Sequence, residues 1–253
     1  MNAADLERAL TEAGLSAPVR FDEVTGSTND TALAMAADGA PEWTLVGAGH
    51  QTSGRGRLGR TWSDTPGRAL LFSLVVRPSW MGLDLAGLLP LLAGLCMVEA
   101  AQENADLQLG CKWPNDLLFE GLKVGGILVE SRVGSEGGSG FYAVIGVGVN
   151  LDPPEGVEGA GGLGDVDGAA LLTSFLGGFR ARYEGDPMTF ARRLVDDYAA
   201  RCLTIGREIE ATCTDGRRVR GRAEEILPDG TLAVETADGR ELVAFGEIAH
   251  LDR

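Results

Sequence analysis

The chain has 253 residues, 44 % of them hydrophobic, which suits one large domain or a large and a small one and excludes wholesale disorder. Its formal net charge of −15 argues against general affinity for nucleic acid, because the phosphate backbone would be repelled. The N-terminus lacks the basic and apolar regions of a secretory signal, and we expect no stretch that is both long enough and apolar enough to span a bilayer. We therefore expect a cytoplasmic protein.

The first half of the chain mixes helical periodicity with short apolar runs. In chain order it predicts a helix over residues 3–13, a helix that follows residues 27–30 and ends near Gly39, strands over 43–48 and 69–76, and a core helix over 83–101. The polar cluster at residues 27–30 is suited to N-capping of the second helix. Pro90 is expected in the first turn of the core helix or at a kink.

The second half changes its pattern twice. It predicts strands over residues 107–113, 116–119, 124–131 and 141–151, a surface loop over 152–167, and helices around 169–183 and 187–201. The connections between these strands are short enough for antiparallel pairing. Beyond Gly206, short β-rich runs are separated by Asp-Gly turns at residues 215–216, 229–230 and 238–239, which is typical of a small antiparallel barrel. We therefore divide the chain into an α+β domain, residues 1–205, and an all-β domain, residues 206–253.

The cysteines give little sign of a metal site or of disulfides. The four cysteines, at positions 96, 111, 202 and 213, lie far apart in the chain and form no C-x-x-C pair. With only His50 and His250 beside them, a zinc site of ordinary ligand spacing is hard to build. We expect all four to be buried, reduced thiols.

The most distinctive segment is Gly54-Arg55-Gly56-Arg57-Leu58-Gly59-Arg60, followed closely by Trp62. Glycine lets the backbone approach a ligand, and arginine presents planar donors that match phosphate or carboxylate. The segment therefore suits a nucleotide phosphate, with Trp62 able to cover a base or ribose. A mobile turn and an RGG-like contact with RNA are the alternatives.

Three further segments carry polar groups or glycines next to buried strands. They are Lys112-Trp113-Pro114-Asn115-Asp116, Lys123-Val124-Gly125-Gly126-Ile127-Leu128-Val129-Glu130 and Gly146-Val147-Gly148-Val149-Asn150. In the first, Lys112 could meet phosphate while Asn115 or Asp116 makes polar or magnesium contacts, although a plain hairpin corner would look the same. Glycines within a strand indicate close packing against its backbone, or a bulge.

Together and in this order, the four segments resemble the biotin–protein ligases, from about Ser27 to the C-terminus. The resemblance implies a mixed β-sheet packed with helices, like that of class II synthetases, and a C-terminal SH3-like barrel that contains Gly246-Glu247-Ile248. Few residues precede Ser27, so we expect no winged-helix DNA-binding domain. Leu58 departs from the pattern, because many relatives have a basic residue there.

The resemblance also assigns roles by position. Biotin would be bound by Ser27, Thr28, Asn29, Gln51, Arg55, Gly56, Arg57, Lys123, Gly125, Gly126, Gly146 and Gly148. The nucleotide would be bound by Arg57, Arg60, Trp62, Lys112, Asn115, Asp116, Lys123 and Asn150. Lys123 and Arg57 would be the catalytic residues, and Mg²⁺ would be bound through the ATP phosphates, with Asp116 as a candidate ligand.

The implied reaction uses biotin and ATP to form biotinyl-5′-AMP and pyrophosphate. The biotinyl group then passes to a lysine of a biotin carboxyl carrier domain. A lipoate–protein ligase shares this fold and chemistry, but its arginine-plus-triple-glycine motif is not found here. A non-catalytic RNA-binding protein is the rival from another class. The sequence gives no indication of the oligomeric state.

Overall fold

A computed structural model describes residues 1–133, 141–244 and 246–251. The helices are α1 Ala3–Glu12, α2 Thr28–Ala37, α3 Leu89–Ala105, α4 Gly168–Tyr183 and α5 Pro187–Ala199. The strands of the first sheet are β1 Val19–Asp22, β2 Leu45–Ala48, β3 Ala69–Val76, β4 Gly110–Lys112, β5 Asp116–Phe119, β6 Leu122–Val133 and β7 Phe141–Asn150. Those of the second are β8 Glu208–Cys213, β9 Arg218–Ile226, β10 Leu232–Thr236, β11 Gly239–Val243 and β12 Gly246–His250.

The first sheet has seven strands in the order β1-β2-β3-β7-β6-β5-β4. Only β1 and β2 pair in parallel, whereas each of the other neighbours is antiparallel. The predicted mixed sheet is therefore confirmed, as is the antiparallel pairing of its last four strands. The connection over residues 134–140 lies outside the described residues. Strand β1 was not predicted, because it is a short edge strand whose residues are mostly half-buried and show no clear alternation.

Helices pack on both faces of this sheet, and the single helix α2 covers the second face only in part. On one face, α3 and α4 pack together over β3, β6 and β7, with a core that includes Phe72 and Phe175, and α5 packs against α3. On the opposite face, α2 forms a smaller cluster that includes Ala32, Ala36 and Val144. All eight residues of β3 are buried, which explains why all of them except Ser73 are apolar. The part of this second face that α2 leaves bare becomes the floor of a cleft.

The core helix corrects one expectation drawn from the sequence. A helical stretch from Leu85 to Ala105, a short 3₁₀ turn followed by α3, has 21 residues and contains an 18-residue window with a mean hydropathy of 1.6, so length and composition alone would allow it to span a bilayer. The expectation that no segment is long and apolar enough was therefore wrong. Of that window, 67 % is buried inside the fold, which is the environment of a core helix. Pro90 lies in the first turn of α3, as predicted.

The second sheet is entirely antiparallel, in the order β11-β10-β9-β8-β12. Glycines at all three predicted Asp-Gly turns have positive φ, a conformation that glycine adopts without steric cost: Gly216, Gly230 and Gly239. The predicted α+β class, with a small antiparallel unit at the C-terminus, is confirmed. Residues 245 and 252–253 of the predicted second domain lie outside the described residues.

The two sheets meet at the Lys112–Asp116 corner. The buried Trp113 donates its indole Nε1–H to the carbonyl of Gly230 at 3.0 Å, and its backbone N–H bonds Thr204 Oγ1 at 3.1 Å. A Cβ added to Gly87 would lie 3.2 Å from the carbonyl oxygen of Asp229, so the β9–β10 turn packs closely on the helical layer. These contacts fix the second sheet beside the bare face of the first.

All four cysteines are free thiols. Cys96, Cys111 and Cys213 are buried, as expected, whereas Cys202 is only partly buried. Burial raises the pKa of Cys96 to about 12, because the thiolate would lose its hydration. This thiol is therefore protonated and unreactive at neutral pH.

We predict that Trp113→Phe lowers the free energy of unfolding by about 1–3 kcal/mol, because the aromatic ring is kept but the buried carbonyl of Gly230 loses its donor. Equilibrium unfolding in urea measures this change. Leu242→Ala is the control, because this side chain of the second sheet is 48 % exposed. It should change the free energy of unfolding by less than about 0.5 kcal/mol. Equal stability of Trp113→Phe and the wild type would show that this bond does not hold the sheets together.

Candidate active site

A cleft of about 340 Å³ lies between the bare face of the seven-stranded sheet, the arginine-rich loop and strands β8 and β12. It brings together sixteen of the residues proposed from the sequence: Ser27, Thr28, Asn29, Gln51, Arg55, Gly56, Arg57, Arg60, Trp62, Lys112, Asn115, Asp116, Lys123, Gly126, Gly146 and Gly148. Segments that are far apart in the chain thus converge on one site. Gly125 and Asn150 do not line it.

One end of the cleft is a buried pocket of uncharged hydrogen-bonding groups at the start of α2. Gln51 Oε1 accepts from the backbone N–H of Thr28 at 2.8 Å and lies 3.1 Å from its hydroxyl. Ser73 Oγ lies 2.8 Å from Thr28 Oγ1 and 2.7 Å from Asn29 Oδ1. Such a pocket suits a neutral ligand with its own donors and acceptors.

The same contacts correct the capping expectation. Ser27 occupies the N-cap position of α2, but its side chain makes no capping hydrogen bond. Gln51, from the loop after β2, satisfies the N–H of Thr28 instead. The polar side chains at residues 27–29 are therefore left to face the pocket. Ser73 was not singled out from the sequence, because it is one hydroxyl within an apolar strand.

The glycines of β6 and β7 leave room for side chains that lie on the sheet. A Cβ on Gly148 would be 2.7 Å from Trp62 Cε2, and a Cβ on Gly126 would be 3.3 Å from Trp62 Cζ3. A Cβ on Gly146 would be 2.1 Å from Asn29 Oδ1. The indole of Trp62 therefore covers the surface at Gly126 and Gly148.

Gly125 faces the other side of the sheet. A Cβ there would meet Leu117 Cδ1 at 2.9 Å and the carbonyl of Gly148 at 3.0 Å, so its lack of a side chain serves core packing. Asn150 is buried at the end of β7, and within the described part of the chain its Oδ1 has no hydrogen-bond partner. The ligand contacts predicted for Gly125 and Asn150 stay predictions.

The arginine-rich loop is an ordered hairpin. The backbone N–H of Trp62 donates to the carbonyl of Gly54 at 2.9 Å, and the backbone N–H of Gly56 donates to the carbonyl of Arg60 at 2.7 Å. The tip is a 3₁₀ turn, Arg57–Gly59, in which Leu58 has φ of 52° and its side chain is exposed. Three arginines thus project from a loop that covers the cleft.

The three arginines differ in how their charge is compensated. Arg55 is paired with Asp30, at 2.7 Å, and with Glu130, while Arg60 is paired with Glu247. Arg57 instead donates to two uncharged oxygens, Asn115 Oδ1 at 3.0 Å and the carbonyl of Gly246 at 3.2 Å.

Arg57 is therefore the loop arginine best able to bind an anion. Across residues 1–133, 141–244 and 246–251, no carboxylate lies within 4.0 Å of its guanidinium. Burial lowers the pKa of Arg57, and the more distant Glu247 and Asp116 oppose that effect. A desolvated cation with only neutral partners gains more from an incoming phosphate than one that is already paired.

A bulge in β6 places Lys123 in the cleft. Gly125 pairs with Leu117 and Lys123 pairs with Leu118, so Val124 is an extra residue and is buried in the core. Without this bulge, strand alternation would place Val124 and Gly126 on the same face and turn Lys123 to the other. Lys123 Nζ forms an ion pair with Asp116 Oδ1 at 2.6 Å.

Lys112 adds a further positive charge to this corner. Burial is the main cause of its lowered pKa; Lys123 and Arg60 lower it further, whereas Asp116 raises it. Among the residues that the structure describes, Lys112, Lys123 and the loop arginines Arg57 and Arg60 thus lie near two carboxylates, Asp116 and Glu247, so this corner of an acidic protein is suited to an anion.

Residues of the second sheet complete the cleft and were not singled out as site residues from the sequence. They are Glu210, Thr212, Glu247, Ile248 and Ala249. No local pattern marks them, because their proximity depends on how the second sheet packs against the first. Glu130, by contrast, is the last residue of the segment Lys123–Glu130, one of the four motifs named above.

Sequence comparison defines the family. The model of the Biotin/lipoate A/B protein ligase family matches residues 22–150, and that of the Biotin protein ligase C terminal domain matches residues 204–251. Together these matches span most of the chain. The chain belongs to the biotin/lipoate A/B protein ligase family, which confirms the resemblance seen in the four motifs.

Individual relatives agree with this assignment. The bifunctional ligase/repressor BirA of Bacillus subtilis is 34 % identical over 243 residues, covering 90 % of this chain and 72 % of that protein. The biotin–[acetyl-CoA-carboxylase] ligase of Mycobacterium tuberculosis is 34 % identical over 242 residues, covering 90 % of this chain and 86 % of its own length. The biotin protein ligase from Aquifex aeolicus in complex with biotin and ATP has a TM-score of 0.71 at 23 % identity, over 92 % of this chain and 97 % of that one. This structural likeness shows the fold.

We predict that Gly148→Ala and Gly125→Ala differ in their effects on tryptophan fluorescence and on stability, because their Cβ atoms would point to opposite faces of the sheet. Gly148→Ala should displace the movable indole of Trp62 and change tryptophan fluorescence with little loss of stability. Gly125→Ala meets the core and a backbone carbonyl, and should lower stability by about 1–3 kcal/mol.

Fluorescence and thermal unfolding of both variants check this contrast, and Trp62→Phe identifies the signal that belongs to Trp62. Loss of stability in Gly148→Ala with unchanged Trp62 fluorescence would contradict the geometry described for the cleft.

Proposed function

We propose that this protein is an ATP-dependent biotin–protein ligase. It converts biotin and ATP to biotinyl-5′-AMP and pyrophosphate, then transfers biotin to a specific lysine of a biotin carboxyl carrier domain. The observation that carries the proposal is the meeting, in one cleft, of a buried neutral pocket and a cationic corner in which Arg57 and Lys112 have no ion-pair partner within 4.0 Å among the described residues. The names of the sequence relatives support biotin as the acid that is activated.

The proposal assigns biotin to the neutral end of the cleft. Thr28, Asn29 and Gln51 offer donors and acceptors to its ureido ring, with Ser27 beside them, and Gly146 leaves space on the sheet. Arg55, Gly56, Arg57, Lys123, Gly125, Gly126 and Gly148 complete the proposed biotin set. Because Trp62 covers Gly126 and Gly148, it has to move if the ring system occupies that surface.

ATP is assigned to the cationic end. The proposed nucleotide set is Arg57, Arg60, Trp62, Lys112, Asn115, Asp116, Lys123 and Asn150. Asn115 accepts from Arg57 and donates its Nδ2–H to the carbonyl of Ile127 at 3.1 Å, so it can orient the arginine while meeting the nucleotide. Within the proposal, residues 1–205 form the catalytic domain and residues 206–253 the C-terminal domain.

The first step joins two anions, the biotin carboxylate and the α-phosphate of ATP. Their repulsion is the main electrostatic obstacle, and Lys123 and Arg57 reduce it by binding the oxygens that carry the negative charge. A new bond forms between the carboxylate oxygen and the α-phosphorus, and pyrophosphate leaves. Positioning both substrates in one cleft supplies much of the remaining rate gain.

In the second step, the neutral ε-amine of the acceptor lysine attacks the acyl carbon of biotinyl-AMP. An amide bond forms, the bond to the phosphate oxygen breaks, AMP leaves with its electron pair, and the attacking nitrogen releases one proton to the solvent. The mixed anhydride is already a good electrophile, so this step requires no nucleophile from the enzyme. The hairpin loop over the cleft would limit hydrolysis of the intermediate by water.

Magnesium fits this site as a companion of ATP. Among the described residues there is no cluster of three or more histidine, cysteine, aspartate or glutamate side chains that could hold a metal ion. Mg²⁺ commonly uses one or two carboxylates together with substrate phosphates, and Asp116 is the candidate carboxylate. Asp116 is paired with Lys123, so it would have to share or exchange that partner. A bound Mg²⁺ would offset phosphate charge.

The free thiols and the use of ATP support a cytoplasmic location. The acceptor is proposed by class alone, as a carrier domain of a biotin-dependent carboxylase. Lipoate is the competing acid, because the matched family includes lipoate ligases by name.

We expect mass spectrometry to detect biotinyl-AMP after incubation of the protein with magnesium-ATP and biotin, and no lipoyl-AMP after incubation with lipoate. The neutral pocket and the sequence relatives lead to this expectation. Lipoyl-AMP alone would keep the chemistry and replace the substrate. No adenylate from either acid, with folded protein, would contradict the proposed function.

We predict that Lys123→Ala slows adenylation by about 100-fold or more, as expected for loss of one charge-stabilising donor. Its side chain is 41 % exposed, so the midpoint of thermal unfolding should change little. Single-turnover formation of biotinyl-AMP measures the rate. Arg20→Ala, which removes a 52 % exposed cation of β1, is the control and should leave the rate unchanged. Normal adenylation by Lys123→Ala would remove Lys123 from the mechanism.

A further inference from the structure

Glu130 links the neutral pocket to the arginine-rich loop. It lies in β6, and its side chain is 16 % exposed. Glu130 Oε2 accepts a hydrogen bond from Asn29 Nδ2 at 3.1 Å. Both carboxylate oxygens also accept from Arg55, whose Nη1 lies 3.4 Å from Oε1 and whose Nη2 contacts Oε2. One carboxylate therefore contacts side chains from α2 and from the loop.

The bond to Asn29 fixes the orientation of a buried amide. Asn29 Nδ2 lies between Glu130 and the carbonyl of Leu128, at 3.3 Å, so both of its acceptors are on β6. The opposite atom, Oδ1, accepts from Ser73 Oγ at 2.7 Å. A carboxylate can only accept, so it excludes the flipped amide, in which oxygen would face oxygen. Glu130 thus determines where this pocket residue presents its donor and its acceptor.

The bond to Arg55 supports the loop. Within the described part of the chain, Arg55 Nε is buried without a hydrogen-bond partner, so the guanidinium depends on acids at its other nitrogens. Asp30 is the second acid, at 2.7 Å from Nη2, but its side chain is 59 % exposed. An exposed ion pair contributes less than a bidentate pair with a largely buried carboxylate. Asp30 and Glu130 therefore share one partner but differ in burial.

We infer that Glu130 is a positioning residue for biotin binding. It holds the Asn29 amide and the Arg55 side of the loop in the arrangement that receives biotin. This inference rests on the proposed function. Glu130 does not line the cleft, and it acts through Asn29 and Arg55, both of which do. Its loss should weaken biotin binding while leaving the anion-binding corner around Lys123 in place.

The test compares Glu130→Ala, Glu130→Gln and the matched control Asp30→Ala in adenylation assays. Glu130→Ala should raise KM for biotin by about 10-fold or more, since a hydrogen bond to a charged group is lost at a buried amide. Its kcat and its KM for ATP should stay within about threefold of the wild type. Glu130→Gln should recover part of the loss, because its Oε1 can still accept from Asn29. Asp30→Ala should change KM for biotin by less than about threefold.

A second readout requires no ligand. Trypsin cleaves after arginine, and the rate of cleavage after Arg55, followed by mass spectrometry, reports opening of the loop. Glu130→Ala should be cleaved there faster than Asp30→Ala or the wild type. Thermal unfolding confirms that each variant is folded before either assay.

Several results would overturn the inference. The first is a KM for biotin in folded Glu130→Ala that equals that of the wild type. The second is a KM for biotin that rises as much in Asp30→Ala as in Glu130→Ala. The third is a loss of kcat and of ATP affinity in Glu130→Ala that parallels the rise in KM for biotin. If the wild type makes no adenylate from biotin, the proposed function fails by itself. Faster cleavage after Arg55 in Glu130→Ala than in Asp30→Ala and the wild type would then still support the role of Glu130 in positioning the loop. Equal cleavage rates in the three proteins would refute that role too.

Discussion

The indole of Trp62 lies directly on the backbone of the seven-stranded sheet, at Gly126 and Gly148. This contact requires strands without side chains on one face, while the same strands are packed against helices on the other. A sheet buried on both faces is stable but offers no ligand site, and a fully bare face would leave backbone and apolar surface in water. Glycine at three positions, with α2 covering only part of the face, produces a floor onto which a flat group can fit.

Charge in the cleft is distributed so that a strongly acidic protein can still attract anions. The net charge of −15 would repel ATP at a distance, but several acids near the site are already paired with arginine. Glu130 and Asp30 are paired with Arg55, and Glu247 is paired with Arg60. Arg57 has uncharged partners, and Lys112 is partly desolvated. Local pairing therefore matters more than net charge for this ligand.

The C-terminal sheet takes a direct part in the site. The carbonyl of Gly246 accepts from Arg57, the carboxylate of Glu247 pairs with Arg60, and β8 and β12 form one wall of the cleft. The buried bond from Trp113 to Gly230 fixes where that wall stands. The position of the small domain thus sets the position of the arginine-rich loop, and through it the geometry offered to phosphate.

The sequence by itself determined the family, the order of most helices and strands, and the majority of the cleft residues. Local patterns carry this information: the apolar run of β3, the three Asp-Gly turns, and four motifs whose residue types are restricted by ligand chemistry. Helix α3 shows the limit of such patterns, because its composition fits a bilayer as well as a protein core, and only packing distinguishes the two.

The tertiary structure decided which side chains meet. Alternation alone would direct Lys123 away from the cleft, and only the bulge at Val124, a property of strand pairing, turns it inward. Gly125 and Gly126 are neighbours in one motif, yet they serve opposite faces of the sheet. Ser73 and the residues of β8 and β12 have no local signature of a site, and Glu130 ends one of the four motifs without the motif showing which side chains it contacts. Their roles arise from distances between segments far apart in the chain, which a linear pattern does not encode.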